Sequence, residues 1–249
     1  NIKYSVGDGT SYATPYVAGT MGLVQEAFPY LSGKQLVDVV LSTSEIPENY
    51  PKHMLQYSNG DKRNLHIISV EEAITQEERE SLLNDYRDYW YARNVWLEPS
   101  IVTNNMDPEN CPEYVLSAEE VYGRGIVNAG RAVQGVAALE AERLTDSDIT
   151  NRYSNINTYM YSVNTGAVED NYKESNFSIW SNDIKEIGLN NLHVGLLKES
   201  GDVNLVLLGE NTYQGATVSK GGKLQIVKGV AGDVFADGSG AEVELNGKS

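Results

Sequence analysis

The chain is 249 residues long, with a formal net charge of -16 at pH 7, 41% hydrophobic residues and one cysteine. That length gives room for a sizeable core and sets an expectation of one or two domains, while the negative charge argues against a nucleic-acid partner, whose phosphates it would repel. Cys111 alone rules out an internal disulfide framework, and no apolar run approaches the roughly 18 residues that a membrane-spanning helix needs.

The first predicted element is a helix, from Val17, Ala18, Met21, Leu23 and Val24 at near-helical spacing, opened by Gly9-Thr10-Ser11-Tyr12-Ala13-Thr14-Pro15. Gly9 and Thr10 permit a tight turn. Ser11 is therefore expected near the helix N-terminus, where unpaired N–H groups and the helix dipole favour negative charge. That setting suits acyl transfer, because a backbone N–H aimed at a developing oxyanion is worth roughly 100- to 1000-fold in rate. Pro15 is expected in the first turn, where its missing N–H breaks no bond, and Gly19 and Gly22 smooth one helix face for close packing. Taken alone, a Ser or Thr before an apolar helix is usually a plain N-cap. The longer string GTSYATPYVAG resembles the nucleophile segment of the subtilisin-like serine proteases, G-T-S-x-A-x-P followed by a V-A-G helix, at Gly9, Thr10, Ser11, Ala13, Pro15, Val17, Ala18 and Gly19. Tyr12 and Tyr16 depart from the methionine and histidine most frequent in that family. The resemblance implies an endopeptidase in which Ser11 is the catalytic nucleophile and its own backbone N–H is an oxyanion donor.

Further along, Ser32-Gly33-Lys34-Gln35 reads as a capping box for a helix carrying Leu36, Val37, Val40 and Leu41. From about Pro47 to Ala118 the chain is acidic and rich in Tyr and Trp, and this stretch reads as an insertion absent from the family's common core. Its best-defined piece is a helix expected to run from a second capping box, Ser69 to Glu72, toward Trp96, with Leu82, Leu83, Tyr86, Tyr89 and Trp90 on one face. A surface elaboration with its own small core is the expected role, ahead of a cover over the substrate cleft or a brace for the stem downstream. Asn105-Met106-Asp107-Pro108-Glu109-Asn110 offers oxygen ligands of the kind calcium takes, but its proline and irregular spacing match no defined loop. No metal or cofactor is expected, calcium being the one ion left open. Tyr122-Gly123-Arg124-Gly125-Ile126-Val127-Asn128-Ala129 resembles the Y-G-x-G-x-V-N-A element that closes the subtilase domain, with Asn128 capping a last helix expected through about Leu139. Residues 1–140 are thus expected to form the C-terminal portion of an α/β subtilisin-like domain, with an insertion at about 47–118.

Residues 141–177, polar through Asp146, Asp148, Asn151, Asn155 and Asn157, read as a connector. From about Ser178 to the end, short alternating runs such as Val203, Leu205 and Leu207 or Leu224 and Ile226 are punctuated by glycines, which predicts stacked coils of an all-β parallel β-helix over 178–249. Such coils bury their apolar faces only against neighbours. The string from Gly201 through Gly209-Glu210-Asn211-Thr212-Tyr213-Gln214-Gly215-Ala216-Thr217-Val218 to Ile226 is similar to the passenger-associated repeat of bacterial autotransporters. That resemblance implies a β-helical stem between a secreted passenger and an outer-membrane β-barrel lying outside this chain, in a protein released from or displayed on a Gram-negative cell. Its partners would then be protein or peptide substrates.

A serine needs a base to become a nucleophile, and the base needs an orienting group. In the resembled family the aspartate, the histidine and the asparagine that completes the oxyanion hole all precede the serine. Ten residues precede Ser11; Asp8 is their sole aspartate and no histidine is among them. The triad Asp, the triad His and the oxyanion Asn are therefore expected outside this chain, which is read as a fragment beginning inside a domain, without a signal peptide and inactive alone. Gly9-x-Ser11-x-Ala13 also resembles the nucleophile elbow of α/β-hydrolases, in which acid and histidine follow the serine. That fold needs a buried strand before the elbow, whereas Asn1 to Gly7 is a short polar lead, so His53, His66 and His193 are read as ordinary surface or packing residues. A reading from another class is a surface adhesin or scaffold with a degenerate protease fold.

Overall fold

A computed structural model of the chain describes residues 9–59, 63–92, 111–166, 177–201 and 203–246, side chains at 57–59, 63–65 and 86–92 excepted. These residues divide into one unit extending to Glu45 and resuming at Ile126, and a second unit spanning Ile46–Gly125. In the first unit, α1 (Thr10–Ala27) follows Gly9, and α2 (Gly33–Thr43) is opened by the capping box between Ser32 and Gln35. The Ser32 amide donates to Gln35 Oε1 at 2.8 Å and the Gln35 amide to Ser32 Oγ at 3.3 Å. Pro15 lies in the second turn of α1 rather than the first, because the helix already begins at Thr10. The bond lost there is the one to the carbonyl of Ser11, four residues back.

The second unit is a three-stranded sheet backed by a helix. Strand β1 (His53–Asn59) pairs antiparallel with β2 (Arg63–Val70), and β2 pairs parallel with β3 (Glu113–Leu116). Helix α3 (Gln76–Ala92) supplies Leu83 to a small core with Ile67, Ile74 and Cys111, and α4 (Ala118–Tyr122) closes the unit. The capping box expected at Ser69–Glu72 is not a helix start. Ser69 belongs to β2, is fully buried, and donates to Glu113 Oε1 at 2.6 Å. The box that opens α3 is Thr75–Glu78, in which Thr75 Oγ1 accepts the Glu78 amide at 3.3 Å and Glu78 Oε2 accepts the Thr75 amide at 3.1 Å. Side chains of Tyr86, Tyr89 and Trp90 lie outside the described residues, as do Trp96 and the whole of 105–110.

Back in the first unit, Asn128 Oδ1 accepts the Arg131 amide at 3.0 Å and caps α5 (Ala129–Ala132). The helix expected through Leu139 ends at Ala132, for a local reason. Gly135 takes φ 96°, a left-handed conformation, and a Cβ there would stand 2.7 Å from the Trp180 ring. The chain turns instead into β4 (Ala138–Glu140).

Strands then follow in threes. After β5 (Ile149–Thr150) come β6 (Thr158–Asn164), β7 (Phe177–Trp180) and β8 (Lys185–Ile187), then β9 (His193–Ser200), β10 (Asn204–Leu207) and β11 (Glu210–Asn211). Next are β12 (Thr217–Ser219), β13 (Gly222–Ile226) and β14 (Gly229–Val230), and finally β15 (Val234–Ala236) and β16 (Ala241–Leu245). On two sides pairing is parallel between a strand and the third one after it: β6 with β9, β12 and β15 in turn, and β7 with β10, β13 and β16. On the remaining side β4 pairs with β8, a bridge joins Ile184 to Asn211, and β11 pairs with β14. The stretch 141–177, expected as a connector, carries β5 and β6, and Tyr159, Tyr161 and Val163 of β6 are core residues.

That core is shared between helices and strands. Val24 and Phe28, Leu36 and Val39 belong to one cluster with Trp180, Leu196, Leu205, Leu207, Tyr213, Leu224 and Ile226. Each such side chain, fully buried, contributes about 1.5–3 kcal/mol relative to exposure. A polar seam runs through it. Tyr30 Oη lies 2.6 Å from Ser178 Oγ and accepts from Trp180 Nε1 at 3.0 Å, and burial pushes the Tyr30 phenol up to about 12.

The repeat-like positions have distinct physical jobs. A Cβ at Gly209 would stand 2.0 Å from the Asn182 carbonyl oxygen. Asn211 Nδ2 donates to the carbonyls of Gly209 and Gly229, at 3.0 and 2.8 Å, joining adjacent strands. Tyr213, fully buried, has its hydroxyl 2.7 Å from Thr217 Oγ1.

Candidate active site at the start of the first helix

Ser11 is the second residue of α1 and is exposed, as is every residue from Gly9 to Gly19. The Gly9 carbonyl accepts from the amides of Tyr12 at 3.0 Å and Ala13 at 3.4 Å, which leaves the Ser11 N–H in the first turn, with no carbonyl of the helix to bond. An exposed hydroxyl and an amide that no helix carbonyl takes up thus sit together at the positive end of an 18-residue helix. The neighbouring hydroxyl of Thr14 is occupied, donating to the Thr10 carbonyl at 2.8 Å. Around this end α1 is apolar yet uncovered: Tyr12 is 60% exposed, Tyr16 75% and Val17 38%. The helix reaches the core only through its later turns, at Thr20, Val24 and, partly, Met21.

Among the described residues no side chain hydrogen-bonds the Ser11 hydroxyl, and Asp8 lies outside them. Each histidine is engaged elsewhere. His193 Nδ1 is 2.7 Å from Glu186 Oε1, and Glu186 Oε2 accepts the Val194 amide at 2.9 Å. In the second unit His66 meets the Tyr114 ring edge-on, and His53 Nδ1 is 3.1 Å from Ser69 Oγ. His53, Ser69 and Glu113 have the residue types of a catalytic triad, but the serine sits between acid and imidazole and is fully buried, out of reach of a substrate. Their work is structural. Glu113 also accepts the Ile74 amide at 2.8 Å and Arg79 at 2.6 Å. Burial alone would raise the Glu113 carboxyl, but its bonds from Ser69, Ile74 and Arg79 outweigh that and hold it below the ordinary value. Sequence reading offered no signal for this network, since Ser69 and Glu113 at its centre lie 44 residues apart.

Two further features bear on chemistry. A cleft of about 460 Å3 in the first unit is lined by Ser42, Ser44, Glu45, Arg131, Lys185 and Glu210, among others. Its serines are spent on structure: Ser42 Oγ donates to the Val39 carbonyl and accepts the Ala137 amide, and Ser44 Oγ donates to the Val40 carbonyl. Among the described residues no three His, Cys, Asp or Glu side chains gather in a way that would hold a metal ion, and no helix is long and apolar enough to cross a membrane.

Residues 1–79 match the Subtilase family. That match takes in α1 and α2 and continues past Pro47 through β1 and β2 into α3. Over 242 residues, 96% of the chain, the sequence is 27% identical to an extracellular serine protease of Serratia marcescens. A second extracellular serine protease of that species is 27% identical over 234 residues, 93% of the chain. The chain spans 17% and 16% of the lengths of these relatives.

Proposed function

We propose that this chain is part of a subtilisin-like serine endopeptidase and that Ser11 is its nucleophile. The observation that carries the reading is the G-T-S-x-A-x-P string opening α1, with Ser11 exposed and its amide in the first turn, where no helix carbonyl takes it up. In the reaction Ser11 Oγ bonds to the scissile carbonyl carbon, its proton passes to a base and then to the leaving amine, and the Ser11 N–H helps hold the oxyanion. The triad Asp and His and the oxyanion Asn belong, on this reading, to sequence beyond these 249 residues. Two observations support that: no base meets Ser11 among the described residues, and the relatives are far longer than the chain. The uncovered apolar half of α1 is the surface on which those further segments pack. The parallel strands from β6 onward are read as a β-helical stem, supported by the pairing of β6, β7, β9, β10, β11, β12 and β13 each with the third strand after it and by the roles of Gly209, Asn211 and Tyr213. The relatives' names favour export. We therefore read the chain as passenger and stem of an autotransporter, acting on proteins or peptides outside the cell, without a cofactor or metal.

In the full-length parent protein, Ser11→Ala should lower kcat/KM for peptide hydrolysis by about 1,000-fold or more, with the circular dichroism spectrum unchanged. The 249-residue chain alone should resist labelling by a fluorophosphonate. Undiminished hydrolysis by the parent variant overturns the assignment of Ser11. A parent without hydrolytic activity in either form selects the scaffold reading, and rapid labelling of the isolated chain overturns the placement of the base outside it.

A further inference from the structure

In the sheet β15-β12-β9-β6 the strands β6, β9 and β12 are buried on both faces, and β15 at the edge is half-buried. Inward, Tyr161 and Leu196 fill the shared core. Outward, Met160, Leu197, Val218 and Phe235, one from each strand, form a separate cluster with Ala216, and Leu197, Val218 and Phe235 stand at matched register positions. The side chain that joins this outer row is Tyr153, only 8% exposed.

Tyr153 comes from the loop 151–157, whose base is the antiparallel pair Thr150 and Thr158 at the β5–β6 edge. The tip of the loop ends at the opposite side of the sheet. Tyr153 Oη donates to Asp237 Oδ2 at 2.6 Å and Arg152 to Asp237 Oδ1 at 2.9 Å, so both oxygens of that carboxylate are engaged. The Tyr153 ring packs on Phe235 of β15 with centroids 5.5 Å apart, and the Arg152 guanidinium lies 5.7 Å from the Tyr153 ring centre. Asp237 directly follows β15, while the loop springs from beside β6, so residues 84 and 85 apart in sequence meet across the whole sheet.

Stacked strands of this kind contact only their neighbours, so such arrays are stable link by link and their end strands open first. A contact from the first strand's flank to the last strand's end breaks that rule. We propose that loop 151–157 is a latch that binds β15 to the β6 end of the sheet through Tyr153, Arg152 and Asp237, so that the stack opens as one body instead of fraying from β15 and β16. The latch stands apart from the protease reading, since it depends on no catalytic residue.

Hydrogen exchange on the full chain tests it. In the wild type, amides of β15 and β16 should be protected to the same degree as those of β9. Asp237→Asn and Tyr153→Phe should each speed exchange in β15 and β16 by about tenfold, the effect of losing one charge-assisted hydrogen bond, while β6 and β9 keep their protection. Arg152 is 64% exposed and outside the apolar cluster, so Arg152→Ala preserves the packing and should speed the same two strands by a smaller factor. Exchange that is unchanged in Asp237→Asn overturns the latch, as does acceleration spread evenly over β6, β9, β12 and β15.

Discussion

The first half of α1 and the strand stack meet the same physical demand with opposite results. Both carry apolar side chains at regular spacing. In the stack each inward residue finds neighbours three strands away, and Leu196, Leu205, Leu207, Leu224 and Ile226 are essentially buried. In the first half of α1, Tyr12, Tyr16 and Val17 stay open although the helix is as apolar as a core element. A parallel stack supplies its own next layer, whereas a helix needs a partner surface. Periodicity therefore identifies an element, and only its neighbours decide whether its apolar face is filled.

Substitutions can break that contrast from either side. The largest effect is expected at Trp180, fully buried between helices and strands: Trp180→Ala should cost about 3–5 kcal/mol in denaturant unfolding. Helical and strand signals should fall together; a helical transition that stays put would show that α1 and α2 do not depend on the stack. Next comes Glu113, whose carboxyl is depressed in the folded state. Its stabilising contribution is complete above the unfolded value of about 4.3 and is lost as pH falls through the folded value. Protection of β2 amides in the full chain should accordingly hold from neutral pH to about 4.5 and then decline. Glu113→Gln should lower that protection at neutral pH by about 1.5–3 kcal/mol and flatten its acid decline, leaving the shallower slope of Glu72, Glu78 and Glu120, held low by Lys52, Thr75 and Ser117. An identical acid profile in the variant would count against this role. The smallest effect is reserved for α1 itself. Tyr12→Ser with Tyr16→Ser should leave the melting of this chain within about 0.5 kcal/mol of wild type, and a larger loss would mean that the open face is already in use.

How much of this was readable in the sequence depended on how far each residue's partners lie. The box Ser32–Gln35 and the cap Asn128 use atoms three residues apart, and both stand as read. Ser69–Glu72 and Thr75–Glu78 fit the same local pattern; the choice between them is made by Glu113, 44 residues beyond Ser69. The helix after Asn128 gives way to the left-handed turn at Gly135, and what keeps that position a glycine is Trp180, a residue no local window contains. Strand β6 was hidden for a different reason: Tyr159, Tyr161 and Val163 do alternate, but Met160 is buried too, so the polar and apolar faces that mark a strand are absent. The string around Ser11 was legible because a nucleophile at a helix start is a local device. Its base and second oxyanion donor are not local, and no reading of neighbours recovers them.

The seam of Tyr30, Gly135, Ser178 and Trp180 bears on how such a chain changes over generations. Tyr30 and Ser178 are 148 positions apart yet share a hydrogen bond, and Gly135 must stay small for the Trp180 ring. A recombination breakpoint anywhere between residues 30 and 178 separates partners that fit only each other. Helical front and strand stack are thus inherited as a matched set, and a chimera that borrows either one from a relative must import its half of the seam as well.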